Sequence, residues 1–116
     1  MAKGGDYRKW YGNLEYLVNW NNSGKEIKDF VTNKYPYLKG NYSFVVKNES
    51  KYFIEGIICS KITSGGLSFR KKEATTIFAD ACTGFFPENI SYNLALVNSK
   101  IITLVTSLNK FESLEN

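Results

Sequence analysis

The sequence predicts an α+β domain in which a mixed, mostly antiparallel sheet carries a short helix after its first strand and an amphipathic helix at its C-terminal end. Two observations lead to this prediction. Short aromatic and β-branched segments alternate with turn residues, and two other segments place apolar residues at helical spacing. The chain has 116 residues, which is the size of one domain, so we expect residues 1–116 to share one hydrophobic core.

The first strand and the first helix are predicted from neighbouring segments. Residues 15–20, EYLVNW, are aromatic and β-branched and predict a strand. Ser23 and Glu26 then have the spacing of a helix capping box, and apolar residues follow at helical spacing. A short helix over about residues 24–34 is therefore expected, ended by Pro36.

Strand-like composition recurs through the middle of the chain. Turn residues between two of these segments, Ser64, Gly65 and Gly66, predict a hairpin. The predicted strands are residues 41–47, 51–62, 67–71 and 75–80, and residues 83–87 are expected to form a loop.

The tail of the chain is predicted to form the longer helix. Apolar residues step by three and four along it, at Ile90, Leu94, Val97, Ile101, Leu104 and Leu108. Such a stripe forms one face of a helix, and we expect this helix to pack against the sheet.

Composition limits the classes of function. Lys and Arg number 15 and Asp and Glu 11, so the net charge is +4, which favours an anionic partner such as nucleic acid. Histidine is absent, and Cys59 and Cys82 are not in CxxC spacing, which excludes zinc sites built from Cys and His. Two reduced thiols, no long apolar run and no signal-peptide pattern predict a cytoplasmic protein without a membrane partner.

No pattern of catalytic residues is present in the sequence. Without histidine there are no Ser–His or Cys–His nucleophile pairs, and the phosphate-binding patterns GxxxxGKS/T and GxGxxG do not occur. The acidic residues are scattered, so the carboxylate pair of a small Mg²⁺-dependent nuclease stays open as an alternative. We expect this chain not to be an enzyme on its own and to hold no cofactor or metal.

The stretch GGDYRKWYGN, residues 4–13, is the first candidate for DNA contact. Arg8 and Lys9 can neutralise phosphates, Tyr11 and the tryptophan before it can stack on a base or pack on the sugar backbone, and Asn13 can pair with an adenine edge. The glycines of the stretch let backbone N–H groups approach a phosphate closely.

The same stretch also has a purely structural interpretation. Side chains alternate along a strand, so Arg8 and Trp10 would share one face. Trp10 would then lie in the core, and Arg8 would stack on its ring or pair with Asp6.

A second basic cluster, Arg70, Lys71 and Lys72, follows the predicted hairpin turn. With Lys61 and Ser64, it is expected to reach a DNA groove, because loops on a rigid sheet commonly carry recognition residues. The alternative is a solvated, charged edge that prevents strand aggregation. Three lysines of the first helix are interpreted as ordinary surface residues: Lys25, Lys28 and Lys34.

Four segments carry a family resemblance. KGGDYRKWYGNLEYLVNW, residues 3–20, resembles a segment in the C-terminal half of BREX-type and TaqI-like adenine-specific DNA methyltransferases. YFIEGIICSKITSGGLSFRK, residues 52–71, FADACTGFFP, residues 78–87, and the final NLALVNSKIITLVTSLN are similar to later segments of that family, in the same order. The resemblance therefore covers nearly the whole chain.

The resemblance implies a target-recognition domain that binds double-stranded DNA sequence-specifically, for a methyltransferase of restriction–modification or phage defence. The family's NPPY methylation motif does not occur here, so the chain is expected to be a fragment of, or a companion to, a larger enzyme that uses S-adenosylmethionine. The implied partners are DNA and a methyltransferase catalytic module in cis or in trans. The alternative is a protein-interaction module of a defence system without direct DNA contact. The residues expected to bind DNA are Lys3, Gly5, Arg8, Lys9, Tyr11, Asn13, Lys61, Ser64, Arg70, Lys71 and Lys72.

Overall fold

The central sheet in the described part of the chain has three strands: β1 (Gly56–Ser60), β2 (Phe69–Lys72) and β3 (Cys82–Phe85). They are antiparallel and lie in the order β2–β1–β3. The helices are α1 (Asn21–Lys34) and α2 (Ile90–Val97), and short 3₁₀ turns cover Pro36–Leu38, Tyr42–Phe44 and Glu49–Lys51. The computed structural model describes residues 1–61, 66–102, 104, 105 and 108. The predicted α+β class, with its antiparallel sheet and two helices, is confirmed.

The strand register decides which side chains share a face of the sheet. Ile58 lies opposite Arg70 on one side and Gly84 on the other, and Ser60 lies opposite Cys82. Because residues directly opposite each other point the same way, these side chains lie on one face. Ile57, on the other face, is fully buried, and α2 contacts both β1 and β2.

The N-terminal segment covers the first face of the sheet. The N–H of Ala2 donates to the carbonyl of Ile77 (2.7 Å), and the N–H of Ala79 donates to the carbonyl of Ala2 (2.9 Å). Ala2 is fully buried and packs in one cluster with Ile58 and Cys82. The first residues of the chain are thus part of the core.

Helix α1 begins with an irregular turn. Asn22, Ser23 and Gly24 have positive φ values of 49°, 56° and 72°, so regular helix starts after Gly24, as predicted, and ends before Pro36. The predicted capping box is wrong, because Glu26 accepts a hydrogen bond from the Asn19 side chain (3.0 Å) and caps nothing.

Several predicted strands are absent from the described part of the chain. Residues 15–20 have no regular secondary structure, residues 41–47 contain a 3₁₀ turn, and residues 75–80 contribute one isolated bridge at Phe78. The strand predicted over residues 51–62 is β1, which begins at Gly56 rather than at residue 51. Conversely, the loop predicted at residues 83–87 is mostly β3, which pairs with β1. In each of these cases, strand formation depends on pairing with a distant segment. Local composition gives no information about that pairing.

The C-terminal helix is confirmed over Ile90–Val97, and residues 100–102, 104, 105 and 108 are also helical. As expected, the helix packs against the sheet, because α2 contacts both β1 and β2. Later residues of the apolar stripe lie at the surface. Ile101, Leu104 and Leu108 are exposed by 73%, 60% and 56%. Among the described helices, none is long and apolar enough to cross a membrane.

Candidate nucleic-acid interface

Residues 7–13, which we call the edge loop, are fastened along the outer edge of β2. The N–H of Trp10 donates to the carbonyl of Phe69, and the N–H of Lys71 donates to the carbonyl of Trp10, both at 2.8 Å. The N–H of Arg8 donates to the Ser68 hydroxyl (3.2 Å). Trp10 has a φ of 77°, a conformation that is costly for a bulky residue and persists only where the surroundings impose it.

The aromatic side chains of the edge loop lie at the surface. Tyr7, Trp10 and Tyr11 are 50%, 52% and 55% exposed. The structural interpretation that placed Trp10 in the core is therefore wrong. A cluster of half-exposed aromatic rings on an edge with fixed backbone is unusual for a surface that contacts only water. Tyr7, which sequence reasoning did not select, belongs to this cluster, and its only sequence signal is its position beside Asp6 and Arg8.

Arg8 is exposed and lies across the backbone of Gly12. A Cβ placed on Gly12, whose φ is +137°, would lie 2.1 Å from Arg8 Cδ. Within the described residues, its guanidinium has no ion pair, so the predicted pairing with Asp6 is not formed, and no stacking contact with Trp10 is present. The guanidinium keeps its hydrogen-bond donors available for an anion.

Lys9 faces inward toward the helix end. Its Nζ donates to the carbonyl of Asn98 (2.9 Å), at the C-terminus of α2, where the helix dipole favours a cation. The Asn98 side chain makes two hydrogen bonds to the Phe69 backbone. Its Oδ1 accepts from the N–H and its Nδ2 donates to the carbonyl, each at 2.9 Å. Lys9 thus connects the edge loop to α2.

The residues before the edge loop form a folded polar turn. The N–H of Gly5 donates to the Ser60 hydroxyl (3.1 Å), so this N–H is already used within the chain. Asn13 donates through its side-chain amide to the Asp6 carbonyl (3.2 Å). The exposed Lys3 ammonium lies 4.5 Å from the centre of the Tyr16 ring. Lys3 makes no ion pair with any acid that the structure describes.

Arg70 is a core residue, and its interpretation as a surface DNA contact is wrong. Its side chain is fully buried, and Nη2 donates to the carbonyl of Lys3 and to the Ser60 hydroxyl, both at 3.4 Å. Nε and Nη1 have no hydrogen-bond partner among the residues that the structure describes. Burial raises the pKa of the Cys82 and Cys59 thiols, and the Arg70 charge opposes this rise.

Lys72 is also fully buried, so the predicted DNA contact and the alternative, a solvated charged edge, are both wrong for this residue. Its Nζ donates to the backbone carbonyls of Tyr52 and Ile54, the latter at 2.7 Å, and Lys72 makes no ion pair with a described carboxylate. Burial lowers the pKa of Lys72 to about 8. These hydrogen bonds connect β2 to the segment that precedes β1.

The remaining lysines of the second cluster are paired with acids. Lys71 binds Glu55 (2.8 Å) and Glu73 (3.6 Å), and the Glu55 hydrogen bond raises the Lys71 pKa. Lys61 contacts Asp80 at 3.4 Å. Ser64 lies outside the described residues. Of the two predicted basic clusters, the edge loop therefore keeps an exposed cation, Arg8, that has no ion pair among the described residues.

The lysines of α1 are engaged within the chain. Lys28 pairs with Glu49 (2.6 Å) and lies 4.7 Å from the centre of the Tyr42 ring. Lys25 pairs with Asp29 one turn further along the helix. Over the described residues, no group of three or more His, Cys, Asp or Glu side chains is placed to hold a metal ion.

Two curated proteins resemble this chain along most of its length. Over 113 residues, or 93% of the chain, it is 34% identical to the adenine-specific methyltransferase BrxX of Escherichia coli O9:H4 (strain HS). Over 101 residues, or 84% of the chain, it is 34% identical to the adenine-specific methyltransferase PglX of Lacticaseibacillus casei (strain Zhang). No family model matches the chain. The chain is therefore homologous to one short segment, 8% of the length, of the adenine-specific methyltransferases BrxX and PglX.

Proposed function

We propose that this chain is a DNA target-recognition domain that serves an adenine-specific methyltransferase in restriction–modification or phage defence. The edge loop, extended by the neighbouring Lys3, is the proposed contact surface for double-stranded DNA. The observation that supports this proposal most is that Arg8 lies between the exposed Tyr7 and Trp10 along a backbone that is hydrogen-bonded to the sheet, and its guanidinium has no ion pair among the described residues. Methyl transfer, with S-adenosylmethionine, is assigned to a separate catalytic module in cis or in trans.

The chemistry of the edge loop supports this proposal. Arg8 can neutralise a phosphate, with release of counterions, or donate in bidentate fashion to guanine O6 and N7. Trp10 and Tyr11 offer flat apolar faces to the sugar backbone or to a base edge. Because hydrogen bonds to β2 hold the Trp10 backbone, little ordering entropy is lost on binding.

Similarity to two adenine-specific methyltransferases supports the proposed context. The aligned part of this chain includes nearly all of its residues but only 8% of each relative, so most of each relative lies outside it. A segment of that size suits an accessory role in recognition better than a complete catalytic unit.

The test is a salt titration of binding to a randomised duplex pool, read by fluorescence anisotropy. Arg8→Gln removes the unpaired charge, and Lys34→Gln removes one exposed charge from α1 as the matched control. If Arg8 contacts a phosphate, the slope of log K against log salt falls by about 0.9, with weaker binding to every duplex. If Arg8 reads guanine, sequence preference is lost as well. Equal slopes for both variants would refute DNA contact by the edge loop.

A protein-interaction module is the second candidate function. The observation that favours it is the row of exposed apolar residues along the C-terminal helical segment, which includes Leu96, Ile101 and Leu104. This candidate predicts no binding to any duplex at low salt, together with binding to another protein that Ile101→Asp abolishes. A measurable DNA affinity that Arg8→Gln weakens would speak against it.

A further inference from the structure

A cavity of about 210 Å³ lies between the N-terminal segment, α1 and the segment before β3. Its buried walls are Val31, Val46, Tyr52, Ile77 and Cys82, with the Trp20 and Phe78 rings beside them. An apolar cavity of about 150 Å³ is large enough to hold benzene. The cavity is therefore large enough for one planar ring.

The floor of the cavity carries the Tyr52 phenol. Tyr52 is 6% exposed and lines the cavity. Burial raises the pKa of the Tyr52 phenol, so the hydroxyl remains a donor at neutral pH. A ligand with an acceptor atom could take a hydrogen bond from this hydroxyl.

The mouth of the cavity is positively charged. Lys47 and Lys61 both contact the single carboxylate of Asp80, at 3.6 Å and 3.4 Å, and all three side chains line the cavity and are solvent-exposed. The hydrogen bond from Lys61 and the charge of Lys47 hold the pKa of Asp80 below its usual value. Two cations share one anion here, so the mouth has a net positive charge that suits an anionic group.

We propose that this cavity binds a nucleobase, with the attached phosphate at Lys47 and Lys61. The ring lies against the aromatic and aliphatic walls, the Tyr52 hydroxyl donates to a ring nitrogen or carbonyl, and the phosphate stays at the solvent-exposed mouth. A free nucleoside monophosphate and an unpaired nucleotide of DNA present the same chemistry. The DNA source rests on the proposed function, whereas the free nucleotide does not.

Methyl NMR spectra of the whole chain test the free nucleotide. Titration with adenosine monophosphate should shift the methyl signals of Val46 and Ile77, because the ring current of a bound base acts on both. Adenosine, which lacks the phosphate, should bind more weakly, and ribose 5-phosphate, which lacks the ring, should leave both methyl signals in place. Unshifted methyl signals with millimolar adenosine monophosphate would overturn the proposal.

Three variants separate the parts of the site. Tyr52→Phe keeps the ring but removes the hydroxyl, and should weaken binding about 5-fold, the usual effect of one hydrogen bond. Lys47→Gln should weaken binding about 2- to 5-fold, while Lys34→Gln on α1 should not change it. Ala79→Phe places a ring inside the cavity and should abolish the shifts. If Tyr52→Phe binds as the wild type does, the base does not lie against the cavity floor.

The DNA source is tested with duplexes that carry 2-aminopurine, either paired or as a single unpaired base. Fluorescence of the unpaired 2-aminopurine should be quenched on binding by the wild type but not by Ala79→Phe. The paired duplex reports the edge loop alone and should respond to Arg8→Gln only. Binding of both duplexes without quenching would reject the cavity as a DNA site and leave the proposed function intact. Binding of neither duplex would reject the proposed function, with the free-nucleotide site then judged from the NMR titration.

Discussion

Asn98→Ala should destabilise the protein more than any other asparagine substitution on α2 and its cap. The Asn98 side chain is 5% exposed and makes two hydrogen bonds of 2.9 Å to the N–H and carbonyl of Phe69. The carbonyl keeps its bond from Trp10, but the N–H loses its side-chain partner. Two hydrogen bonds at about 1 kcal/mol each, plus part of the desolvation cost of the N–H, lower the free energy of unfolding by about 2–3 kcal/mol.

Thermal and urea denaturation followed by circular dichroism measure this loss. For 116 residues, 1 kcal/mol corresponds to about 4 °C in Tm, so Asn98→Ala should melt about 8–12 °C below the wild type. Asn93→Ala is the matched control, because its side chain makes a single, exposed hydrogen bond to Asn89 (2.8 Å) on the same helix. That control should remain within about 0.5 kcal/mol of the wild type. The reasoning is refuted if both variants melt within about 2 °C of each other.

Three further outcomes follow from the same structure. Lys9→Met removes the donor to the Asn98 carbonyl and should lower Tm by about 4–8 °C while leaving the salt slope of DNA binding unchanged; a changed slope would assign Lys9 to the DNA surface. Gly24→Ala places a Cβ 2.8 Å from the Trp20 ring at a φ of +72° and should cost at least about 2 kcal/mol in urea denaturation. The pKa of Lys72 is lowered from 10.5 to about 8, so the unfolded state binds more protons between these values and stability should rise with pH across that window, by up to about 3 kcal/mol. Urea denaturation from pH 7 to 10 should show this rise as a difference between the wild type and Lys72→Met, and parallel curves would contradict it.

Local signals predicted the helices well. Helical spacing and Pro36 define the first helix from Gly24 onward, because a helix depends on contacts between residues three and four apart. The second helix follows from the same periodicity, up to Val97. Strands were predicted less well, because a strand exists only where a partner strand pairs with it. Residues 15–20 have strand-like composition but no ladder partner, and β3 has ordinary composition but pairs with β1.

The candidate site was predicted in part. Basic and aromatic residues around Arg8 marked the edge loop from sequence, and the structure leaves Arg8 exposed without an ion pair among the described residues. The exposure of Trp10 was not predictable, because a positive φ and hydrogen bonds to β2 turn its side chain outward. The cavity was not visible in the sequence either, since its walls come from distant segments that meet only in the folded chain.

By itself, the sequence determined the α+β class, the two helices and a basic, aromatic segment near the N-terminus, because these depend on composition and short-range spacing. Only the tertiary structure decided which cations face solvent. Arg70, Lys71 and Lys72 are consecutive and chemically alike, yet the strand register buries the first and third and pairs the second with acids. Side chains alternate between the two faces of a strand, so the register fixes the face on which each of them lies. The register of β2 is set by its pairing with β1 rather than by the residues of β2 alone.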